Sequence, residues 1–364
     1  MTGVGQILDS SELTINSKSS QYKIKFVSSD DKFVLGEKKF YIIDSNLKSI
    51  LKLDTKSQNI ILLDVQEEKK NLHTVEELII KLSEKQISRK DVICGIGGGV
   101  VQDLVTLTSS IYKRGIDWEY LPTTLTAMAD SCIGGKSSIN AGGAKNVIGN
   151  IYPPKLITID TFFIKSLDEI SIIGGISEAV KICFARDPNS FKDFIKLYNL
   201  LDKTNHKTYQ QLIQLSLTSK KWFIEIDEFD KKERQLLNFG HSWGHAWESA
   251  VDFKANHGVA VAVGMLAALN HPQSSKTETS LMLRNFLIEI LSQIKPYLSN
   301  LFENTNWDVF ESSLKNDKKN TVDILKLILP DQSGGVSAVA LENSESNISL
   351  AKKCLIEILR NQIE

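Results

Sequence analysis

Between residues 22 and 160, short apolar runs rich in β-branched residues alternate with amphipathic stretches. Tyr22–Val27, Phe40–Asp44 and Asn59–Val65 read as strands, each closed by polar residues. Leu72–Lys85 places Val75, Leu78, Ile79 and Leu82 at helical spacing. The run Asp91-Val-Ile-Cys-Gly-Ile-Gly-Gly-Gly-Val-Val-Gln-Asp103 reads as a buried strand, a glycine turn and a helix. Trp118–Leu121, leading to Pro122-Thr-Thr, and Leu156–Asp160 add two more strands. Strands alternating with helices predict a mostly parallel sheet covered on both faces.

From about Asp168 the pattern becomes helical, over Gly175–Ala185, Phe191–Leu201, Tyr209–Ile226, the histidine-bearing segment near 240, Ser280–Leu298 and Leu350–Ile363. Leu325–Leu329 and Val336–Ala340 are the β-rich interruptions. The expected architecture is an α/β, Rossmann-like N-terminal domain over residues 1–165 and an all-α C-terminal domain over residues 166–364.

Composition narrows the picture. A chain of 364 residues is long enough for two cores. A net charge of -1 argues against a general nucleic-acid binder, which carries a clear basic excess. The four cysteines, Cys94, Cys132, Cys183 and Cys354, lack CxxC spacing and suit a reducing compartment. Met1-Thr-Gly-Val-Gly-Gln has no charged head followed by an apolar core, and Val259–Leu269 is too short to span a bilayer. The expectation is a cytoplasmic protein without a membrane partner.

The densest chemistry lies in Asn238-Phe-Gly-His-Ser-Trp-Gly-His-Ala-Trp-Glu248. His241 and His245 stand one helical turn apart, and His257 follows, so three of six histidines fall within seventeen residues. Two imidazoles from one helix with a carboxylate from elsewhere would leave an open position on zinc. Against this, two helix histidines can simply hydrogen-bond locally, and the Glu of HExxH is replaced by Ser242.

Gly97-Gly-Gly99 after a strand lets backbone N–H groups approach a pyrophosphate at a helix N-terminus, and Asp103 lies one turn into that helix. Between Tyr112 and Asn146 the chain carries Lys113-Arg-Gly115, Pro122-Thr-Thr-Leu125, Asp130-Ser131, Gly134-Gly-Lys136, Asn140 and Gly143-Ala-Lys-Asn146. Glycine-flanked lysines suit phosphate, because the main chain can close in while the ammonium supplies charge.

Taken together, Gly97-Gly-Gly-Val-x-x-Asp103, Tyr-Lys-Arg114-Gly, Pro122-Thr-Thr-Leu, Asp130-Ser, Gly-Gly-Lys136 and Lys145-Asn146-x-Ile-Gly resemble the 3-dehydroquinate synthase and sugar-phosphate cyclase family. Gly175-Ile-Ser-Glu178-Ala-Val-Lys181, Lys220, Arg234-x-Leu-Leu-Asn238-x-Gly-His241 and His257-Gly continue the resemblance, which runs from roughly Asp44 to Lys319.

The resemblance implies a dehydroquinate synthase-like fold, NAD, and a catalytic zinc (cobalt being compatible) held by Glu178, His241 and His257. His245 then matches a position near the leaving phosphate. Lys136, Asn146, Arg114 and one of Lys318 and Lys319 match phosphate-side groups, with Arg114 reaching across a homodimer. Lys220 and Arg234 match a carboxylate clamp, while Asp130, Lys181 and Asn238 match groups that hold substrate hydroxyls. Asp44, Glu67, Lys70, Gly98, Gly99, Thr123 and Thr124 match NAD contacts, and Asp103 and Lys145 are placed with them. The implied reaction is a redox-neutral, phosphate-eliminating cyclisation of a sugar phosphate.

The chain departs from the family pattern at Gln102 and Thr106, where glycines are usual. It also has Phe229 and Asp230 for an Arg-Glu pair, and Val259 for a glutamate. Asn238 and the Lys220/Arg234 pair favour the dehydroquinate reaction. Gln102, Thr106 and Val259 motivate a relative acting on another sugar phosphate, such as a heptulose 7-phosphate. A metal-dependent polyol dehydrogenase and a degenerate, non-catalytic binder are the remaining readings, and the phosphate-type lysines oppose the dehydrogenase.

Overall fold

The structure, a computed structural model, describes residues 11–27, 35–36, 39–54, 57–142, 144–201, 206–317 and 320–363. The chain forms β1 (Glu12–Asn16), β2 (Gln21–Val27), β3 (Phe40–Asp44), β4 (Ile60–Leu63), α1 (Leu72–Glu84), β5 (Ile93–Gly97), α2 (Gly99–Ile111) and β6 (Trp118–Pro122). A π-helical turn at Ala127–Ser131 precedes β7 (Ile139–Ala141), β8 (Ala144–Ile148) and β9 (Leu156–Asp160). Then come α3 (Glu169–Arg186), α4 (Pro188–Tyr198), α5 (His206–Ile226), α6 (His241–Ala250), α7 (His257–Asn270) and α8 (Glu278–Ser292). The chain closes with α9 (Lys295–Glu303), α10 (Trp307–Lys315), β10 (Ile324–Pro330), β11 (Val336–Glu342) and α11 (Glu345–Ile363).

The contacts divide the chain into two compact units, one of residues 1–167 and 201–228, the other of residues 168–200 and 229–364. In the first, the large sheet has the order β1-β2-β9-β6-β5-β3-β4, parallel throughout except for the β1–β2 hairpin. β5 is buried along its length, as expected of a parallel strand covered on both faces. α1 begins where Asn71 Oδ1 accepts the Thr74 N–H at 3.1 Å, and it buries Val75, Leu78 and Leu82. Strand order reverses at β3, with β4 on one side and β5 on the other. The crevice beyond the carboxyl ends of β3 and β5 is therefore a topological switch point.

The second unit is helical as expected, and the two β-rich stretches within it, β10 and β11, pair as an antiparallel hairpin from Ile324↔Glu342 to Pro330↔Val336. One expectation needs correction: a single cut at residue 165 does not separate the units, because α5 packs with the first. Ser216 Oγ donates to Ala129 O at 2.8 Å and Lys220 Nζ donates to Asp130 O at 2.7 Å. At the far end of α5, Glu225 accepts a hydrogen bond from the Asn16 N–H at the end of β1, and Glu228, two residues past the helix, accepts one from Ser19 in the β1–β2 turn. These bonds span 87 to 209 positions in sequence, a distance that helical periodicity cannot register.

In the second unit α7 is buried from Gly258 to Leu269. A helix apolar on every side belongs at the centre of a core. It is wrapped by α3, α6, α8 and α11.

Candidate active site

Three helices reach one point because glycines let their backbones close. A Cβ at Gly258 on α7 would run into the Gly174 carbonyl of α3, and one at Gly264 would strike the Gly240 carbonyl at the head of α6. Gly240 itself is left-handed (φ 78°), and a Cβ there would lie 2.7 Å from Val261 O. These approaches bring His241 and His245 of α6 beside His257, the first residue of α7. Ring centroids are 5.2 Å apart for His241–His245, 5.4 Å for His241–His257 and 5.6 Å for His245–His257.

The imidazoles offer nitrogens that all lie within 4.8 Å of one another. Glu178 on α3 is fully buried. Its Oε2 pairs with Lys181, one turn further along, while Oε1 has no hydrogen bond and lies 3.3 Å from His257 Nε2. A buried carboxylate oxygen without a hydrogen bond, facing a histidine cluster, fits a divalent cation. Imidazole nitrogens with carboxylate oxygen are the donor set of zinc, and cobalt suits them as well. Burial works to lower the His257 pKa, but the Glu248 and Glu178 carboxylates overcome it and push it up to about 10. The field at this point thus favours positive charge.

Glu248 is the residue that sequence reasoning missed. It lies 3.2 Å from His257 Nδ1, the arrangement in which a carboxylate orients a metal-binding imidazole. Its signal was its position, seven residues after His241 and so on the same face of α6. Val259 is buried in the core, and its N–H is capped by Asn256 Oδ1 at 3.3 Å. The carboxylate beside His257 thus comes from α6 rather than from residue 259. Just before α6, Arg234 (buried) and Asn238 lie on the 3₁₀ turn Glu233–Asn238, where Asn238 Nδ2 donates to Gln235 O at 2.9 Å.

In the first unit, Asp44 ends β3 and Gly97 ends β5, so the switch-point crevice has a carboxylate on one lip and the glycine loop on the other. Burial raises the Asp44 pKa, opposed by the Asn46 N–H that its carboxylate accepts. Gly98 caps α2 without a side-chain hydrogen bond, leaving N–H groups for an anion. A Cβ at Gly98 would press within 2.9 Å of Thr124 Cγ2, whereas one at Gly99 would meet nothing within 4 Å. Thr123 N–H donates to Gly97 O at 3.0 Å, joining the loop after β6 to the glycine turn. This open, amide-lined cradle fits a dinucleotide pyrophosphate.

Beside it Lys70 Nζ reaches Asn146 Oδ1 at 2.8 Å, Asp103 Oδ2 at 3.1 Å and Glu67 Oε1 at 3.6 Å, and Lys145 lies 3.8 Å from Glu67. Burial raises the Asp103 pKa to about 6 against the pull of Lys70. Asn146, matched on sequence to the phosphate side, thus shares a network with residues matched to NAD. Asp130 and Lys220 form a second pair, at 2.5 Å. Lys136 is exposed, and so is Arg114, in a left-handed conformation (φ 66°). Lys318 and Lys319 lie outside the described residues.

Comparison with known proteins bears on the family and the fold. Residues 60–173 match the family 3-dehydroquinate synthase N-terminal, and residues 175–320 match 3-dehydroquinate synthase C-terminal. The 3-dehydroquinate synthase of Campylobacter jejuni strain RM1221 is 37% identical over 242 residues, 65% of this chain and 68% of that one. That of Leuconostoc mesenteroides is 33% identical over 306 residues, 80% of this chain and 84% of that one. Among solved structures, 2-deoxy-scyllo-inosose synthase complexed with carbaglucose-6-phosphate, NAD+ and Co2+ superposes with a TM-score of 0.77 at 21% identity, covering 95% of this chain and 99% of that one. An iron-containing alcohol dehydrogenase from Thermococcus thioreducens gives 0.60 at 14% identity, covering 88% and 92%. With both of its halves matched, and with relatives a third or more identical along most of its length, this chain belongs to the 3-dehydroquinate synthase family.

Proposed function

We propose that the protein is a 3-dehydroquinate synthase, converting 3-deoxy-arabino-heptulosonate 7-phosphate to 3-dehydroquinate with elimination of phosphate. The observation that carries this reading is the cluster of His241, His245 and His257, with the buried Glu178 carboxylate facing His257, in a chain of this family. When bound, NAD supplies a reversible hydride acceptor and the divalent metal supplies a Lewis acid for a hydroxyl oxygen. The chain's own work is binding and orientation, which can lower the barrier by several kcal/mol when a flexible substrate is held in its reactive geometry, on the order of 7–11 at the limit.

Glu178, His241 and His257 hold the metal, and Glu248 fixes the His257 ring. Lys181, ion-paired to Glu178, positions substrate hydroxyls together with Asp130 and Asn238. Lys220 and Arg234 take the carboxylate, the planar guanidinium matching a planar anion. Lys136, Asn146, His245 and Arg114 serve the phosphate together with Lys318 or Lys319. Asp44, Glu67, Lys70, Gly98, Gly99, Asp103, Thr123, Thr124 and Lys145 hold NAD. The enzyme works in the cytoplasm as a homodimer in which Arg114 serves the neighbouring subunit.

A relative cyclising another sugar phosphate is the second reading, and the departures at Gln102, Thr106 and Val259 are its support. The test is phosphate release by zinc-loaded protein from the heptulosonate phosphate, with catalytic NAD and nicotinamide absorbance followed together. Many turnovers of phosphate without net NADH are expected. Turnover only of a heptulose phosphate lacking the carboxylate would transfer the protein to the second reading, and turnover of neither would remove both.

A further inference from the structure

The π-helical turn Ala127–Ser131 carries Asp130, and π turns recur at functional sites because they break the regular hydrogen-bond ladder. Here three successive carbonyls are taken by three different side chains. Ala129 O accepts from Ser216 Oγ at 2.8 Å, Asp130 O from Lys220 Nζ at 2.7 Å and Ser131 O from Gln102 Nε2 at 2.7 Å. Lys220 therefore grips Asp130 twice, by its carbonyl and by its carboxylate.

Gln102 does the same to Ser131. While its amide nitrogen donates to the carbonyl, its Oε1 accepts from Ser131 Oγ at 2.7 Å. The glutamine is buried on α2, between the core residues Val101 and Leu104. A buried primary amide must find partners for both ends or lose the cost of desolvating them. Both ends of Gln102 find the same residue, and that residue adjoins Asp130. A reciprocal pair of this kind fixes orientation as well as distance. Thr106 contributes one layer below, its Oγ1 donating to Gln102 O at 2.7 Å.

We propose that Gln102 is a positioning residue, which clamps Ser131 and so holds the π turn where Asp130 and Lys220 present their charged groups to substrate. The inference rests on Asp130 and Lys220 being substrate groups, as assigned above. It gives a role to the large polar side chain that this chain carries at a position where glycine is usual. Replacing it by glycine frees two polar groups of Ser131 and opens space beside the turn.

The experiment compares Gln102→Met, which keeps length without hydrogen bonds, and Ser131→Ala, which removes one partner at a half-buried site. On the zinc- and NAD-loaded protein, both variants are expected to raise KM for the heptulosonate phosphate at least fivefold with kcat changed less than threefold. The double variant is expected to be no worse than Gln102→Met alone, since the two act through one contact. Hydrogen–deuterium exchange over residues 126–133 is expected to accelerate at least tenfold in Gln102→Met, with α5 protected. Unchanged exchange there would overturn the clamp. Accelerated exchange with KM unchanged, or with kcat and KM falling together, would overturn its role in substrate positioning. Where the wild type itself turns over nothing, the functional assignment fails, and the exchange result still decides the clamp.

Discussion

Glu248 and His257 face each other at 3.2 Å across the junction of α6 and α7. The carboxylate stands on the Nδ1 side of the ring, while Nε2 is turned to Glu178 at 3.3 Å. Loss of such an outer partner typically costs ten- to a hundredfold in metal affinity. Glu248→Ala is therefore expected to weaken zinc binding by about 10- to 100-fold, and Glu248→Gln by less. Competition with a chromophoric chelator measures it. An Ala variant that binds zinc like the wild type would remove Glu248 from the metal's surroundings.

Gly258 and Gly264 are expected to refuse alanine, because in each case the added methyl meets backbone, which cannot rotate away. Overpacking of this kind costs about 1–3 kcal/mol. It would also push α7 off α3 or α6 and so separate the proposed metal ligands. Both variants should melt lower and bind zinc more weakly. A Gly258→Ala protein with unchanged melting temperature would contradict the backbone contact.

Gly99 behaves oppositely. A methyl there meets nothing within 4 Å, so Gly99→Ala should leave the melting temperature of the ligand-free protein unchanged. The same methyl would occupy the space a pyrophosphate needs, and NAD affinity is expected to fall at least tenfold by calorimetry. Full affinity would show that the cofactor does not approach the glycine turn this closely.

Asp103 makes a pH prediction. Its pKa in the fold is raised to about 6, above the ordinary carboxylate value, so the folded state holds the proton more tightly than the unfolded chain. Below pH 4 both states are protonated and there is no penalty. Between 4 and 6 the unfolded chain ionises first, and above 6 the cost of burying the charge is complete, on the order of 1–3 kcal/mol. Asp103→Asn should therefore gain stability relative to wild type as pH rises from 4 to 8, measured by urea unfolding. A gap that does not change with pH would exclude the raised pKa.

Much of this was legible in the chain because it is local. β3 at Phe40–Asp44, α1 from Leu72 and the glycine turn at residues 97–99 follow from β-branched runs, 3.6-residue periodicity and turn chemistry. His241, His245 and His257 were visible for the same reason, lying within seventeen residues. β1, at Glu12–Asn16, went unread because it is short and mostly polar and is made by pairing with β2. The stretch Ser280–Leu298 read as one helix but is two, Glu278–Ser292 and Lys295–Glu303, with Pro296 in the first turn of the second. Glu248 shows in the sequence only by its place on the face of α6 that carries His241, with nothing to mark His257 as its partner, and Gln102 shows there only as a departure. What each of them does depends on a residue brought near by folding.

The return of α5 to the first unit bears on how the protein can be made and cut. A ribosome finishes β9 at Asp160 well before it reaches Ser216 and Lys220. Until then the π turn bearing Asp130 lacks the hydrogen bonds that α5 gives two of its carbonyls. The intervening residues 168–200 meanwhile belong to the other unit. The two units are therefore not separable modules on the chain. A recombinant piece ending at residue 165 would present the sheet without its last helix, and an independently folding version of the first unit needs α5 joined back through a short artificial linker.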